Sequence, residues 1–372
     1  MESARSIKPI RLYEVDLLRF LAALSVVLFH YTYFGHAAPG NYSPLTFKTL
    51  GFYTKYGYLG VDLFFIISGY IILLSAEGKT VKQFFISRVM RLYPAFWIAC
   101  TLTFLVKRQW GANLGNTFMP AALRASFGQY AYNMTMLEEF FGIPPLDGAY
   151  WSLTVELAFY FLISLLISYH LMSRVEWFLA CLLLYAVLPA LPRTGTPFTA
   201  LFFPNNAPFF AAGMLFFLVQ QPTSKLLIRH VLLVISYLAA LQSGLREATE
   251  NSRYFHDEFS APVVFTIITL FFVLFYVITF RQLNLSRFKG LLSLGALTYP
   301  LYLIHSDIGY IIFHRLGHLS NKYVVVGSTL LCMLGVAFLI HELVEKRCSK
   351  ALGNQLNKWL HKFDQRPSEG HR

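Results

Sequence analysis

Residues 16–31 read DLLRFLAALSVVLFHY. The run is apolar enough for a membrane helix, yet it carries Arg19 near one end and His30 near the other. Ionisable groups inside a bilayer are costly and mark functional sites by default. Eleven positions at ~100° each make about three turns, so the two side chains share one helix face, roughly 16 Å apart along the axis. One face then offers a fixed cation at one edge of the bilayer and a proton carrier toward the other. That geometry suits a long anionic ligand whose charged head meets Arg19 and whose reactive end approaches His30. The alternative is that Arg19 snorkels to the interface and His30 is a hydrogen-bonded packing residue.

Apolar stretches of this kind recur throughout the 372 residues, 56% of which are hydrophobic and 13% charged. Soluble domains average about 25% charged residues, so a soluble protein is excluded. The chain reads as an all-α polytopic membrane protein with about ten transmembrane helices. They fall near 17–35, 58–76, 93–107, 150–170, 175–191, 206–220, 225–243, 259–280, 291–313 and 323–343. Aromatic residues gather at the ends of these runs (Tyr31, Tyr93, Trp97, Tyr150, Trp151), as interfacial belts do. Pro189, Pro192, Pro197, Pro204 and Pro208 crowd the fifth and sixth spans. Short or broken helices lining a cavity are expected there.

Lys and Arg divide about two to one between alternate loops, which places both termini in the cytoplasm. Residues 1–345 then form one membrane domain and 346–372 a short basic cytoplasmic tail. The same bias explains the net charge of +12, with the lipid bilayer as partner. Nucleic acid is not expected, because the basic residues are spread through short loops without interleaved exposed aromatics. Four cysteines without a CxxC pair suggest neither a disulfide framework nor a metal site. Arg19, inside what would be the apolar region of a signal peptide, argues against cleavage. The longest outer loop, about 108–149, is expected to cover an outward-facing site.

Depth sorts the remaining polar residues. At ~1.5 Å per residue, Glu156 lies about 9 Å below the outer surface when counted from Tyr150, and His30 about 10 Å below it. Asp62 and His305 reach similar levels. His30, Asp62, Glu156 and His305 are therefore expected to meet in one polar layer in the outer third, with the Glu156 carboxylate facing the His30 imidazole. Plainer roles are an interfacial cap for Asp62 and a structural hydrogen bond for His305. Toward the other side, Arg88 and Arg91 are three apart and share a helix face. Two guanidinium groups make a phosphate clamp, and their plainer role is interfacial anchoring. Ser68 and Gly69, mid-span, allow close helix approach or ligand passage.

Together these residues carry a resemblance. The Arg-x10-His of Arg19 and His30, then GVDLFFIISGY (60–70), the Arg-x-x-Arg of Arg88 and Arg91, WSLTVELAFYF around Glu156, and TYPLYLIH with Tyr302 and His305 occur in one order. In that order they resemble the integral membrane acyltransferase-3 family over nearly the whole chain. The resemblance implies a bacterial inner-membrane O-acyltransferase. It would move an acyl group, typically acetyl from acetyl-CoA, to a hydroxyl of a glycan or lipid-linked sugar on the outer side, without a metal. It makes Arg19 and His30 essential and assigns Arg88 and Arg91 to the acyl donor. Asp62, Ser68, Tyr302 and His305 are expected to support the acceptor side. His30 acts either as general base, oriented by Glu156, or through an acyl-histidine intermediate. The family's Glu-x-Pro has only Glu345-Lys346-Arg347 as its counterpart, so Glu345 is left outside the site. Without the resemblance, a secondary transporter of a sugar or organic acid fits the same polar layer.

Overall fold

A computed structural model of the chain describes residues 13–112, 119–188 and 201–364. Pro189, Pro192, Pro197 and the N-terminal Arg5, Lys8 and Arg11 lie outside the described residues. Within them the chain is helical, and no strand is present. The helices are α1 (Tyr13–Ala37), α2 (Lys48–Ala76), α3 (Val81–Trp110), the short α4 (Phe127–Asn133), α5 (Trp151–Ser168), α6 (Val175–Val187) and α7 (Ala207–Val219). Then follow α8 (Leu226–Phe255), α9 (Ala261–Thr279), α10 (Leu291–Ile304), α11 (Ser306–Leu316), α12 (Lys322–Ile340) and α13 (Lys346–Asp364).

Among the described residues seven helices are long and apolar enough to cross a membrane: α1, α2, α3, α5, α8, α9 and the one that starts with α12. The other expected spans appear as the shorter α6 and α7 and as α10 with α11, where the helix breaks at His305. Leu105, Phe161, Leu184, Leu238, Val273 and Leu331 point outward, while polar residues such as Asp62, Lys107, Asp307 and His305 are buried. That inversion is what a lipid solvent selects, because interior polar groups find partners only in protein.

Helix α1 runs through the middle of the bundle, packed between α2 and α10. Helix α7 is buried along its whole length and packs chiefly on α2 and α8. Glycine sets the α2–α7 approach. A methyl at Gly69 would strike the Phe210 carbonyl, and one at Gly213 the Ile66 carbonyl. Without a hydrophobic force between helices in lipid, this backbone contact is a main source of cohesion. Gly213→Ala is therefore expected to cost about 1–3 kcal/mol. It should lower the melting temperature in detergent. Gly327→Ala, with nothing within 4 Å, should leave the melting temperature unchanged or raise it.

Three features add to the sequence expectations. Several helices run past their expected ends, where capping or protein cover sustains polar turns outside the apolar run. Thus α3 starts at a Thr80–Gln83 capping box, and α8 continues twelve residues beyond 243, to Phe255. Second, residues 346–364, read as a tail, form the amphipathic α13, which packs along α3. Third, Lys55 and Lys107, at the edges of expected spans, are buried. Lys55 bonds Asp257 at 3.2 Å and Lys107 bonds Asp307 at 2.6 Å.

Candidate active site

Helix α1 contributes to two of the cavities among the described residues. At the end where α1 begins, Arg19 enters a cavity of about 320 Å³ with Arg88 and Arg91 of α3. Glu156 and Tyr160 of α5, Ser68 of α2 and Tyr302 of α10 complete its polar wall. At the other end, His30 lines a cavity of about 480 Å³ with Asp62, Glu247, Ser306 and Tyr310. Pro144, Pro145 and Gly148 of the long loop also line it, so that loop does cover part of a cavity.

The arginine cavity is built for anions. Three guanidinium groups and one carboxylate, Glu156, line it, while Asp16 and Glu345 stand beside Arg19 and Arg91 outside the lining. The Arg88 guanidinium lies over the Tyr160 ring at 5.5 Å, and that of Arg91 over Tyr299 at 5.7 Å. Such stacking holds a planar fork in place without using up its N–H donors. Arg19 lies 3.7 Å from Asp16. On the far side of Arg91, Glu345 stands 3.9 Å away and also bonds His341 at 2.6 Å. Glu345 was left outside the site because its Glu-x-Pro counterpart lacks the proline, yet it lies beside Arg91. A π-helical turn, His341–Glu345, brings it back beside α3.

Glu156 belongs to this cavity and not to the histidine. It accepts hydrogen bonds from Tyr160 at 2.5 Å and Ser68 at 3.3 Å. The expected Glu156–His30 pair is thus replaced by a different arrangement. The depth count took Tyr150 to lie at the membrane surface. Tyr150 is instead fully buried, its hydroxyl donating to the Leu303 carbonyl at 3.1 Å. Helix α5 therefore starts deep under the loop, and Glu156 sits closer to the arginine end than the count allowed.

His30 begins a π-helical turn, His30–Phe34, that interrupts α1. Such turns widen the helix locally and are frequent at functional sites. The imidazole Nδ1 lies 3.1 Å from both the Ser306 and Tyr310 hydroxyls. Its ring meets that of His305 edge-on, with centroids 4.9 Å apart. His305 is fully buried, its Nδ1 on the Tyr302 carbonyl at 2.8 Å and its Nε2 without a hydrogen-bond partner. Asp62 shares the cavity with His30, as expected, while Ser68 and Tyr302 fall on the arginine side.

Ser306 and Tyr310 were not singled out in the sequence, where they look like ordinary helix residues. A buried ion-pair cluster places them. Lys107 donates to Asp307 and to the Leu146 carbonyl, at 2.6 and 2.7 Å. Asp147 in turn accepts from the Asp307 and Ala149 amides, both at 3.0 Å. Burial, reinforced by the neighbouring Asp307, raises the Asp147 carboxyl above the ordinary carboxylate range. The cluster ties the start of α11, and hence the hydroxyls beside His30, to α3 and to the loop.

Between the cavities stands a small apolar septum of Val26, Ala149 and Tyr302, packed by Val61 and Phe64. Val61 lines both cavities. The Tyr302 hydroxyl is held there by Ser152 at 2.8 Å and by the Ala149 carbonyl at 3.2 Å. Among the described residues no group of three or more His, Cys, Asp or Glu is placed to hold a metal ion.

A family model described as "Acyltransferase domain" matches residues 12–342. Nodulation protein 10 of Rhizobium leguminosarum is 28% identical over 166 residues, which is 41% of this chain and 43% of that protein. The peptidoglycan O-acetyltransferase OatA of Listeria monocytogenes is 27% identical over 157 residues, 39% of this chain and 22% of that protein. The O-acetyltransferase OatA of Staphylococcus aureus is 36% identical over 124 residues, 30% of this chain and 20% of that protein. The chain thus covers less than half of each of these relatives. No solved structure matches it.

Proposed function

The chain belongs to this acyltransferase family, and from that premise we propose that it is a transmembrane O-acetyltransferase using acetyl-CoA. The acyl donor would bind at the arginine cavity, on the cytoplasmic side. The acceptor, a hydroxyl of a glycan or lipid-linked sugar, would bind at the histidine cavity on the outer side. The bacterial relatives suggest the inner membrane as its location. The observation that carries the reading is the division of charge along α1. Arg19 joins two further arginines in one cavity, and His30 stands in the other among hydroxyls.

The chemistry follows from the neighbours of His30. If Nδ1–H donates to Ser306 or Tyr310, Nε2 is left as a neutral acceptor. It takes the proton of the acceptor hydroxyl as that oxygen attacks the thioester carbonyl. The carbon–sulfur bond breaks, and the departing CoA sulfur takes the proton back from the imidazolium. General base catalysis of this kind supplies about 10²–10⁴-fold. Two hydroxyls do the orienting that a carboxylate does in a serine-protease triad. To reach His30 the acyl-bearing end of the donor must pass the septum at Val61 and Tyr302.

The test is purified protein in liposomes with labelled acetyl-CoA inside and a glycan acceptor outside. Label on the acceptor supports the proposal. Acetyl-CoA left intact while sugar crosses the bilayer would favour a transporter. Ser306→Ala with Tyr310→Phe is expected to lower kcat about tenfold or more, with little change in either KM, because the ring loses its orienting partners. Unchanged kcat would remove the two hydroxyls from the reaction.

A further inference from the structure

We propose that the histidine cavity selects its acceptor by charge. The sugar ring seated in the cavity is neutral or positively charged, and a ring that itself bears a carboxylate or phosphate is excluded, so a lipid-linked acceptor would present a ring remote from its phosphate. Asp62 and Glu247 make that selection. The inference rests on the reading of this cavity as the acceptor site.

The two cavities have opposite electrostatic linings. The residues lining the arginine cavity include three Arg and one carboxylate, whereas the described residues lining the histidine cavity include Asp62, Glu247 and Asp307 and neither Lys nor Arg. Asp307 is neutralised by Lys107 behind it. Asp62, from α2, is only 3% exposed, and its Oδ2 has no hydrogen-bond partner. A buried carboxylate oxygen at a cavity wall is costly unless a ligand donates to it. A sugar hydroxyl or an ammonium group can do so, and an anion cannot. Glu247 approaches the same space from α8, with Asn251 one helical turn further on.

The rest of the lining is suited to a sugar ring. Asn206 and Asn251 offer donors and acceptors for hydroxyls, and Trp151 and Tyr254 offer apolar ring faces. A few placed polar groups among aromatic surface is the usual make-up of a small-molecule site. An anionic sugar would meet two acidic side chains and no Lys or Arg to compensate it, and negative charge brought into such a desolvated site is rejected strongly.

Sequence reading could not find this set. Glu247 lies in the polar stretch REATEN (246–251), past the expected end of its span. Only the continuation of α8 to Phe255 carries it over the cavity.

The experiment compares three probes with one ring: methyl glucoside, methyl glucosaminide and methyl glucuronide. Their binding to the purified full-length protein is measured by calorimetry. The glucosaminide should bind at least as tightly as the glucoside, and the glucuronide about tenfold more weakly or worse. Asp62→Asn with Glu247→Gln should narrow the glucosaminide-to-glucuronide ratio about tenfold. The wild-type order is itself decisive if the double variant misfolds. Equal or tighter binding of the glucuronide, no binding of any probe, or a ratio unmoved in a folded variant would overturn the selection. If the order holds but no probe is acetylated from acetyl-CoA, the selection stands and the acyltransfer reading fails.

Discussion

His30→Ala should abolish acyl transfer, lowering kcat about 10²–10⁴-fold at saturating concentrations of both substrates. The loss is expected in kcat because, in the proposed reaction, the imidazole acts on the proton in flight, while the acceptor would be held by other groups, Asp62 and Glu247 among them. Folding should survive. His30 is partly exposed to the cavity, and the Ser306 and Tyr310 hydroxyls that it leaves lie beside space that water can fill. A melting curve close to wild type, together with lost turnover, is the expected pair of results. His30→Gln, which keeps a polar group at the site, should be equally inactive. Near wild-type activity in either variant would remove the imidazole from the chemistry. The same assay separates direct transfer from a covalent route. Acid-quenched wild type carrying a labelled acetyl group would show the acyl-histidine.

Arg88→Ala with Arg91→Ala should raise the KM for acetyl-CoA about 100-fold, with a much smaller change in the KM for the acceptor. Hydrogen bonds to charged groups contribute about 1.5–3 kcal/mol each, and about 1.4 kcal/mol is tenfold in affinity. The lower end of that range applies here, since the Arg91 side chain is 40% exposed and water screens it. The salt dependence of the KM should fall as well, because two of the three cations in the cavity are gone. A larger effect on the acceptor would reassign the pair. Arg91→Lys should restore little, because an ammonium neither stacks on Tyr299 nor offers a planar fork.

The sidedness of the reaction joins these two results. If the arginine end faces the cytoplasm, the donor reaches Arg88 and Arg91 where acyl-CoA is available. Only the acetyl-bearing arm then needs to pass the septum. Val61 lines both cavities, and the Tyr302 hydroxyl is held at the septum by Ser152 and the Ala149 carbonyl. In the proposed reaction, a barrier made of side chains would let the two substrates occupy separate cavities without opening the membrane to water.

The sequence by itself determined that this chain is a helical membrane protein and that α1 carries a cation and an imidazole toward different ends. Both follow from local quantities, hydropathy and the helical repeat, which need no knowledge of neighbours. The Arg88 and Arg91 pair was legible for the same reason, since three residues on one helix share a face. Asp62 beside His30 and the His30–His305 contact were also reached from depth alone. What faces what beyond that was decided by tertiary structure. How far one helix is shifted along its axis against the next leaves no periodic trace in a sequence. Tyr150 is drawn under the loop, so Glu156 sinks to the arginines. The chain breaks at His305, so Ser306 and Tyr310 become the partners of His30. Helix α8 runs on to Phe255, so Glu247 reaches the histidine cavity. Each outcome depends on packing and buried ion pairs between segments far apart in the chain, above all Lys107 with Asp307.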